Sequence, residues 1–269
     1  MIITSRGANS LGCSSGAWRI WALSDGYVDL PAELLKEPDG RVYGMPRSFA
    51  QVGSIVRLSV NCFLLDDAGA DRTLIDCGAG GSWDASMGHL ETALVEAGID
   101  PSSITTVAFT HTHGDHINGL RTPNGREGFP SLKRIVIAED AVASFRNESH
   151  LRQYRPLLAP IGGGTRLADG LTTVAMPGHA PGHIGYLLDT GDDKFLFCGD
   201  IIHVSAAQFA RPELTWTYDA NQSEARATRI RLLHDAAAAG TWLAGAHVDW
   251  PGIGKVVGEG QGYAFVPVA

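Results

Sequence analysis

The chain has 269 residues, and its composition and charge exclude several classes of protein. A hydrophobic fraction of 44% with 19% charged residues is typical of a globular protein and excludes a disordered chain. The net charge of −8, without a basic cluster, argues against nucleic acid and anionic membranes as partners. No run approaches the roughly 18 apolar residues of a membrane span, and no basic, apolar leader is evident, so we expect a cytoplasmic protein.

The first half of the chain is predicted to contain several strands and one helix. Residues 1–16 are polar and rich in glycine and serine, and we expect a mobile arm. Residues 29–50 contain three prolines and predict an irregular flap. Apolar residues recur at helical spacing between 88 and 98, where Gly98 is the expected C-cap. Runs of apolar residues predict strands at 18–23, 55–65, 72–76 and 104–110.

The second half repeats this rhythm of strands and helices. Helices are predicted at 139–146 and at 222–239, where Gly240 ends the second one. Strands are predicted at 134–138, 171–176, 183–188, 195–198 and 241–245. Because both halves contain strands and helices and no linker separates them, we predict a single domain over 1–269 with two sheets and outer helices.

The most specific motif is THTHGDH, which begins where the strand at 104–110 ends. His111 and His113 are two residues apart, so an extended chain directs both to one side. Asp115 and His116 follow as the chain turns away, where they can serve a second metal ion. Imidazole and carboxylate groups are ligands that suit Zn²⁺ and neighbouring ions. The motif therefore predicts a metal site.

Three further motifs supply the same residue types at the ends of predicted strands. They are PGHAPGH at 177–183, FCGD at 197–200 and GAH at 245–247. The carboxyl ends of strands are where α/β architectures collect their active-site loops. Each motif alone is compatible with an ordinary turn, but their occurrence in this order favours one shared site.

Together these motifs resemble those of the metallo-β-lactamase superfamily of two-metal hydrolases, over nearly the whole chain. The resemblance implies an α/β (α+β) fold, the four-layer αββα sandwich of two mixed β-sheets flanked by helices. It implies two divalent ions, with Zn favoured and Mn, Fe or Co as alternatives. It assigns His179 to a turn or to a position behind the metal ligands, and Asp76 to a brace behind the metal-binding loop. The implied ligands are His111, His113 and His183 for one metal, Asp115, His116 and His247 for the other, and Asp200 as the bridge.

A bridging carboxylate is typical of superfamily members that hydrolyse thioesters, lactones and phosphoesters, whereas true β-lactamases lack it. Residues 199–209, 246–256 and 260–268 resemble the methyl parathion hydrolase group and its lactonase relatives. His203 stands where quorum-quenching lactonases usually have tyrosine, as in the methyl parathion hydrolase-like group. This resemblance also leads us to expect a homodimer.

The expected activity is hydrolysis of neutral esters, such as lactones, aryl esters or organophosphate triesters, through a metal-bridging hydroxide. An acyl-homoserine lactonase is the main alternative, followed by a glyoxalase II-like thioesterase. A non-catalytic member would lack ligands, and a redox member would carry a flavodoxin-like extension or rubredoxin-type cysteines. The expected catalytic residues are Asp115 as a proton relay, Asp200 as the bridge and His203 as a substrate contact. The predicted apolar walls of the pocket are Phe49, Phe209 and Trp250.

Overall fold

The computed structural model describes residues 1–45, 54–67 and 72–269. Within these ranges the strands are β1 (Ile2–Arg6), β2 (Ser10–Ser15), β3 (Trp18–Pro31), β4 (Leu35–Lys36), β5 (Ile55–Asp66), β6 (Arg72–Ile75), β7 (Ile104–Ala108), β8 (Arg134–Ala138), β9 (Leu158–Ile161), β10 (Arg166–Ala168), β11 (Leu171–Ala175), β12 (Ile184–Asp189), β13 (Lys194–Phe197), β14 (Thr215–Trp216), β15 (Trp242–Ala244), β16 (Ile253–Glu259) and β17 (Gly262–Pro267). The α-helices are α1 (Leu90–Glu96), α2 (Gly114–Ile117), α3 (Val142–Asn147), α4 (Ser205–Gln208) and α5 (Gln222–Ala239). Short 3-10 turns lie at Ala32–Leu34, Pro101–Ser103, Asn118–Leu120, Glu139–Ala141, Ser149–Leu157 and Gly199–Ile201.

In the described part of the chain, the fold is built on two large β-sheets. The first has the order β1-β2-β3-β5-β6-β7-β8-β9, and the second has the order β10-β11-β12-β13-β15-β16-β17. In the first sheet, β6 to β9 run parallel to one another, and in the second, β13 and β15 are parallel. Helix α1 packs against β2 and β3, and α5 packs against β16. This is the αββα sandwich that the sequence predicts.

The main core lies between the two sheets. The rings of Phe63 on β5 and Phe197 on β13 are 5.3 Å apart and join the facing surfaces. The hydroxyl of Tyr186 on β12 donates to the carbonyl of Phe109 at 2.6 Å, so a buried polar group also links the sheets. Full burial of one such aromatic side chain stabilises the fold by about 2 kcal/mol. The two sheets are therefore fixed relative to each other near the edge where the motifs lie.

The amino-terminal residues correct the prediction of a mobile arm over 1–16. Strands β1 and β2 form an antiparallel pair, and β2 pairs in turn with β3. Leu11 and Cys13 are buried on β2, and the hydroxyl of Ser15 donates to Asp193 at 2.7 Å. The polar composition is misleading because Ser15 satisfies its hydrogen bonds with Thr190 and Asp193, in the loop between β12 and β13 of the other sheet. The flap predicted at 29–50 is also partly regular, since β3 continues to Pro31 and β4 follows.

The predicted helix at 222–239 is confirmed as α5, and both of its ends have clear caps. The side chain of Asn221 accepts the backbone N–H of Glu224, and Gly240 adopts a left-handed conformation with φ of 61°. The four cysteines are free and buried, as their scattered positions indicate. None of the helices in the described ranges combines the length and apolarity that crossing a bilayer requires.

Candidate metal centre

The four predicted motifs meet at one edge of the sandwich, where loops from both sheets converge. The loops after β6 and β7 belong to the first sheet, and those after β11, β13 and β15 belong to the second. Parallel neighbours such as β6 and β7, or β13 and β15, end at the same edge, so residues distant in sequence become neighbours. These loops carry Asp76, His111–His116, His179, Asp200 and His247.

The first potential metal-binding group consists of His111, His113, His179 and Asp200, whose ligand atoms lie within 4.8 Å of one another. The Nε2 atom of His179 is 3.0 Å from Nδ1 of His113 and 3.4 Å from Oδ2 of Asp200. The Nε2 atom of His111 is 3.7 Å from the same carboxylate oxygen. Three imidazoles and a carboxylate thus converge on one point, in an arrangement suited to a divalent ion.

The second group consists of Asp115, His116 and His247, again within 4.8 Å. The Nε2 atom of His247 is 3.0 Å from Oδ2 of Asp200 and 3.4 Å from Oδ2 of Asp115. The Nε2 atom of His116 is 3.2 Å from Oδ1 of Asp200. Asp200 therefore adjoins both groups, which is the position that a bridging ligand requires.

The position of His183 corrects its prediction as a ligand. Its Nδ1 donates to the carbonyl of Met176 at 2.8 Å, and its Nε2 accepts the backbone N–H of Asp200 at 3.2 Å. Both ring nitrogens of His183 are hydrogen-bonded to backbone groups, so His183 supports the loop of Asp200. His179, rather than His183, is the third histidine of the first group. A Cβ on Gly199, whose φ is 53°, would lie 2.5 Å from Nε2 of His183, so only glycine permits this packing.

The prediction that Asp76 braces the metal-binding loop is confirmed. One oxygen of Asp76 accepts the backbone N–H of Thr110 at 2.8 Å, and the other lies 2.8 Å from both the Thr110 hydroxyl and Nδ1 of His116. These bonds orient the ring so that its Nε2 faces the group. In the same way, Nδ1 of His247 donates to the carbonyl of Ser59 at 2.7 Å, which directs Nε2 of that ring inwards.

Sequence reasoning missed Asp219, which lies behind the first group. Its Oδ1 is 2.9 Å from Nδ1 of His179, and its Oδ2 is 3.5 Å from the guanidinium of Arg229 on α5. Asp219 belongs to no motif and precedes α5 by three residues. The one available signal was an acidic residue near a helix start, which usually indicates capping rather than contact with a distant histidine.

Several buried polar atoms in the two groups have no hydrogen-bond partner in the described structure. They are Nε2 of His111, Nε2 of His116 and Oδ1 of Asp200. Leaving a buried polar atom unpaired costs about 1–3 kcal/mol, so unpaired ligand atoms in one place need a compensating group. Two imidazole nitrogens and a carboxylate oxygen are suitable donors for a divalent metal ion, and the residues present therefore fit such a cofactor.

The electrostatics of the groups also favour a bound cation. Burial lowers the pKa of His179 to about 3, so the ring is neutral, as metal coordination requires. Burial acts to lower the pKa of His247, but the carboxylates of Asp200 and Asp115 raise it to about 10. Burial acts to raise the pKa of Asp115, but the charges of His116 and His247 lower it to about 2. In the metal-free protein, protons on histidine thus balance the carboxylates.

A cavity of about 400 Å³ opens directly over the two groups. His113, Asp115, Asp200, His203 and His247 form its floor. Its walls are apolar or aromatic, and consist of Val28, Leu30, Leu58, Trp83, Trp216 and Tyr218. Among the residues that the structure describes, no lysine or arginine lines it. A larger cavity of about 710 Å³ lies near α1 and contains none of the proposed ligands.

Two of the three predicted walls of the substrate pocket, Phe209 and Trp250, do not line this cavity. Phe49 lies outside the described residues. Phe209 is buried and stacks on Phe265 with ring centres 4.9 Å apart, in the core beneath α5. Trp250 packs against the main core, and with Phe209 it lines a separate depression. Both aromatic rings turn into the protein because burial of a large apolar surface outweighs their nearness in sequence to the motifs.

His203 lies on the floor of the cavity between two other rings. Its ring stacks on Trp216 at 5.1 Å and on His247 at 5.4 Å. Its Nε2 is 3.5 Å from Oδ2 of Asp200, and its Nδ1 has no hydrogen-bond partner. Burial lowers the pKa of His203 to about 4, so the ring is neutral. The predicted catalytic residues Asp115, Asp200 and His203 are thus brought together in one cavity.

The chain belongs to the metallo-beta-lactamase superfamily, whose family model matches residues 55–247. The fold and the paired histidine and aspartate groups agree with this assignment. The chain is therefore a member of a family of metal-dependent hydrolases.

Three solved structures cover nearly the whole chain. A hydrolase named AbOPH is 25% identical with a TM-score of 0.84, and the match covers 98% of this chain and 99% of that one. AidC, described as a dizinc quorum-quenching lactonase, is 21% identical with a TM-score of 0.82, over 97% of this chain and 98% of that one. A probable metal-dependent hydrolase from Staphylococcus aureus has a TM-score of 0.72 at 18% identity, over 96% and 100% of the two chains.

Curated relatives match a shorter region. Hydroxyacylglutathione hydrolases from Vibrio parahaemolyticus and Vibrio cholerae are 29% identical over 103 residues. The matched region is 37% of this chain and 34% of each relative, so the chain spans about a third of the length of the curated relatives it matches.

Proposed function

We propose that this protein is a two-metal hydrolase of neutral esters, such as lactones, aryl esters or organophosphate triesters. His111, His113 and His179 would hold the first ion. Asp115, His116 and His247 would hold the second, and the carboxylate of Asp200, which adjoins both groups, would be shared between them. Zinc suits this set of imidazole and carboxylate ligands, and the neighbour AidC is described as dizinc.

The observation that carries the proposal is the cavity over the two groups. Its walls are apolar and, among the described residues, offer no lysine or arginine to hold a charged substrate. Arg211, which follows the Asp200 loop in the sequence, is engaged by Glu37 at 3.0 Å and by Glu213. A phosphate monoester or other dianion would lose its hydration there without gaining a charge-assisted bond. A neutral ester loses less hydration free energy on entering the cavity. Contact of its hydrocarbon part with the apolar walls stabilises the complex.

The residues on the floor have distinct roles in this proposal. A bound pair of divalent ions would supply an acidified water and polarise the ester oxygen. Asp115, beside His247 at 3.4 Å, is placed to hold the proton released when that water reacts. His203 is neutral and lines the cavity, so it is placed to contact the substrate or the leaving oxygen. Trp216 holds the His203 ring in this position by stacking.

Two other substrates have support from similarity. AidC is described in complex with N-hexanoyl-homoserine, which makes an acyl-homoserine lactone the first alternative substrate. The curated relatives suggest a glutathione thioester, but its carboxylates would find no cationic partner in the described walls. A homodimer and a zinc-loaded native state remain predictions, which light scattering and elemental analysis would test.

The proposal is tested by metal analysis combined with a substrate panel. We expect two ions per chain after loading with zinc. We expect kcat/KM to be highest for an aryl lactone, an acyl-homoserine lactone or a phosphotriester. An aryl phosphate monoester, a cephalosporin and a glutathione thioester should be poorer substrates. One ion or fewer per chain, or a preference for any of the last three compounds, would overturn it.

A further inference from the structure

One histidine in each potential metal-binding group has its outer nitrogen against a buried carboxylate. In the second group, Nδ1 of His116 lies 2.8 Å from Asp76, the residue expected to brace the metal-binding loop. In the first group, Nδ1 of His179 lies 2.9 Å from Asp219, a contact that no sequence motif predicts. The outer nitrogen of His111, by contrast, meets only the hydroxyl of its neighbour Thr110, at 3.1 Å.

Asp219 differs from Asp76 in what surrounds it. Its carboxylate is buried, and a buried carboxylate is tolerated only when charges or hydrogen bonds compensate for lost hydration. Here Oδ2 accepts the backbone N–H of Trp216 at 3.2 Å and faces the guanidinium of Arg229 at 3.5 Å. The side chain of Arg229 is 0% exposed, so this ion pair lies wholly inside the protein.

Arg229 also connects Asp219 to the loop that carries the bridging residue. Its Nε donates to the carbonyl of Ile201, next to Asp200, at 2.6 Å. Its Nη1 donates to the carbonyls of Pro212, at 3.2 Å, and Leu214. A guanidinium with several donors satisfied by fixed carbonyls is held rigidly and can hold its carboxylate partner in turn.

We infer that Asp219 is a positioning residue for the first metal ion, acting through His179, and that Arg229 holds Asp219 in place. The carboxylate fixes the ring with its proton on Nδ1 and its lone pair on Nε2 directed at the ion. It also makes the imidazole a stronger electron-pair donor. This inference rests on the proposed function, because it takes His179 as a ligand.

Calorimetric titration of the metal-free protein with zinc tests the inference. Loss of a carboxylate behind a ligating histidine typically weakens metal binding about 10–100-fold. We expect the wild type to bind two ions and Asp219→Asn to bind one of them about 10–100-fold more weakly. Asp189→Asn is the control, since it removes an exposed carboxylate paired with Lys194 at 3.1 Å and should leave both affinities unchanged.

A spectroscopic readout separates positioning from a general loss of stability. In ¹⁵N-labelled metal-free protein, the Nδ1–H of His179 should give a slowly exchanging ring resonance, assigned with His179→Gln. We expect Asp219→Asn to abolish or shift this resonance, whereas Asp189→Asn keeps it. Should Asp219→Asn not fold, Asp219→Glu retains the charge but displaces it, and is expected to weaken the same ion.

The outcomes distinguish this inference from the proposed function. If the wild type binds fewer than two ions, the proposed function fails, and the positioning role fails with it. If the wild type binds two ions and Asp219→Asn binds both with unchanged affinity, or leaves the ring resonance unmoved, the inference alone is overturned.

Discussion

The carboxylate of Asp76 lies 2.8 Å from Nδ1 of His116, although the two residues belong to loops that follow different strands. Asp76 has φ of 56° and is the one non-glycine residue with positive φ in the described ranges. Such a backbone costs about 1 kcal/mol or more for most residues, and aspartate is among those that tolerate it. The strained turn places the carboxylate where it meets both the ring and the backbone of Thr110.

Replacement of Asp76 should therefore affect stability and metal binding together. Asp76→Ala leaves the buried N–H of Thr110 and Nδ1 of His116 without a partner and removes one contact of the Thr110 hydroxyl, in a strained turn. We expect a loss of about 2–4 kcal/mol in the free energy of unfolding, measured in urea with the metal-free protein. Asp76→Asn tolerates the turn and should lose less stability, while one zinc ion still binds more weakly. An alanine variant as stable as the wild type would contradict this account.

Because Asp200 lies between the two groups, its replacement should affect turnover more than stability. Asp200→Asn keeps the volume but removes the charge that lies between the two groups. We expect turnover to fall at least about 100-fold, while the melting temperature of the metal-free protein changes little. The measurements are kcat with the best ester substrate, zinc per chain and a thermal melt. Two bound ions with wild-type turnover would show that Asp200 is not the bridge.

Metal binding should release protons, because carboxylates raise the pKa of His247 to about 10 in the metal-free protein. At pH 7 to 9 this ring is protonated, and an ion can bind its Nε2 only after that proton leaves. Apparent affinity should therefore rise with pH over this range, by about tenfold per unit for each proton released. Calorimetry in Tris and in phosphate at equal pH measures the release. Equal heats in both buffers would contradict the prediction.

The position of Trp83 at the cavity mouth predicts that this side chain contributes to substrate binding. Trp83 lines the cavity yet is 55% exposed, so it is placed to meet the substrate's hydrocarbon part. We expect Trp83→Ala to raise KM for an apolar ester about 3–10-fold with a smaller change in kcat. Val95→Ala, at an exposed position on α1 away from the cavity, is the control. A change in kcat alone would place Trp83 outside the binding surface.

Much of the fold could be predicted from local patterns. The strands that end in the motifs and helix α5 have continuous apolar runs or caps, which indicate their type without tertiary information. Strands β1 and β2 were missed, because polar side chains such as Ser15 on β2 are satisfied by Thr190 and Asp193, far away in the sequence. Polar residues predict a loop unless such a partner is known.

Part of the candidate site could likewise be predicted from local sequence patterns, and part could not. The spacing of the THTHGDH motif and its place after a strand were enough to indicate a metal site at His111, His113, Asp115 and His116, because a strand end and a short turn are local features. The choice between His179 and His183 was not local. Both follow glycine within PGHAPGH, and only the packed structure shows that His183 serves backbone groups while His179 faces the other ligands.

The sequence by itself determined the family, the sheet-forming segments and the residue types of the metal site, since these depend on short-range patterns of polarity and spacing. Tertiary structure alone decided which aromatic side chains line the cavity and which pack into the hydrophobic core. Phe209 and Trp250 turn inwards, whereas Trp83 and Trp216 reach the cavity from distant segments. It also decided that Asp219 and Arg229 meet behind His179. Burial and charge compensation are properties of the assembled core, because they depend on which distant segments pack together.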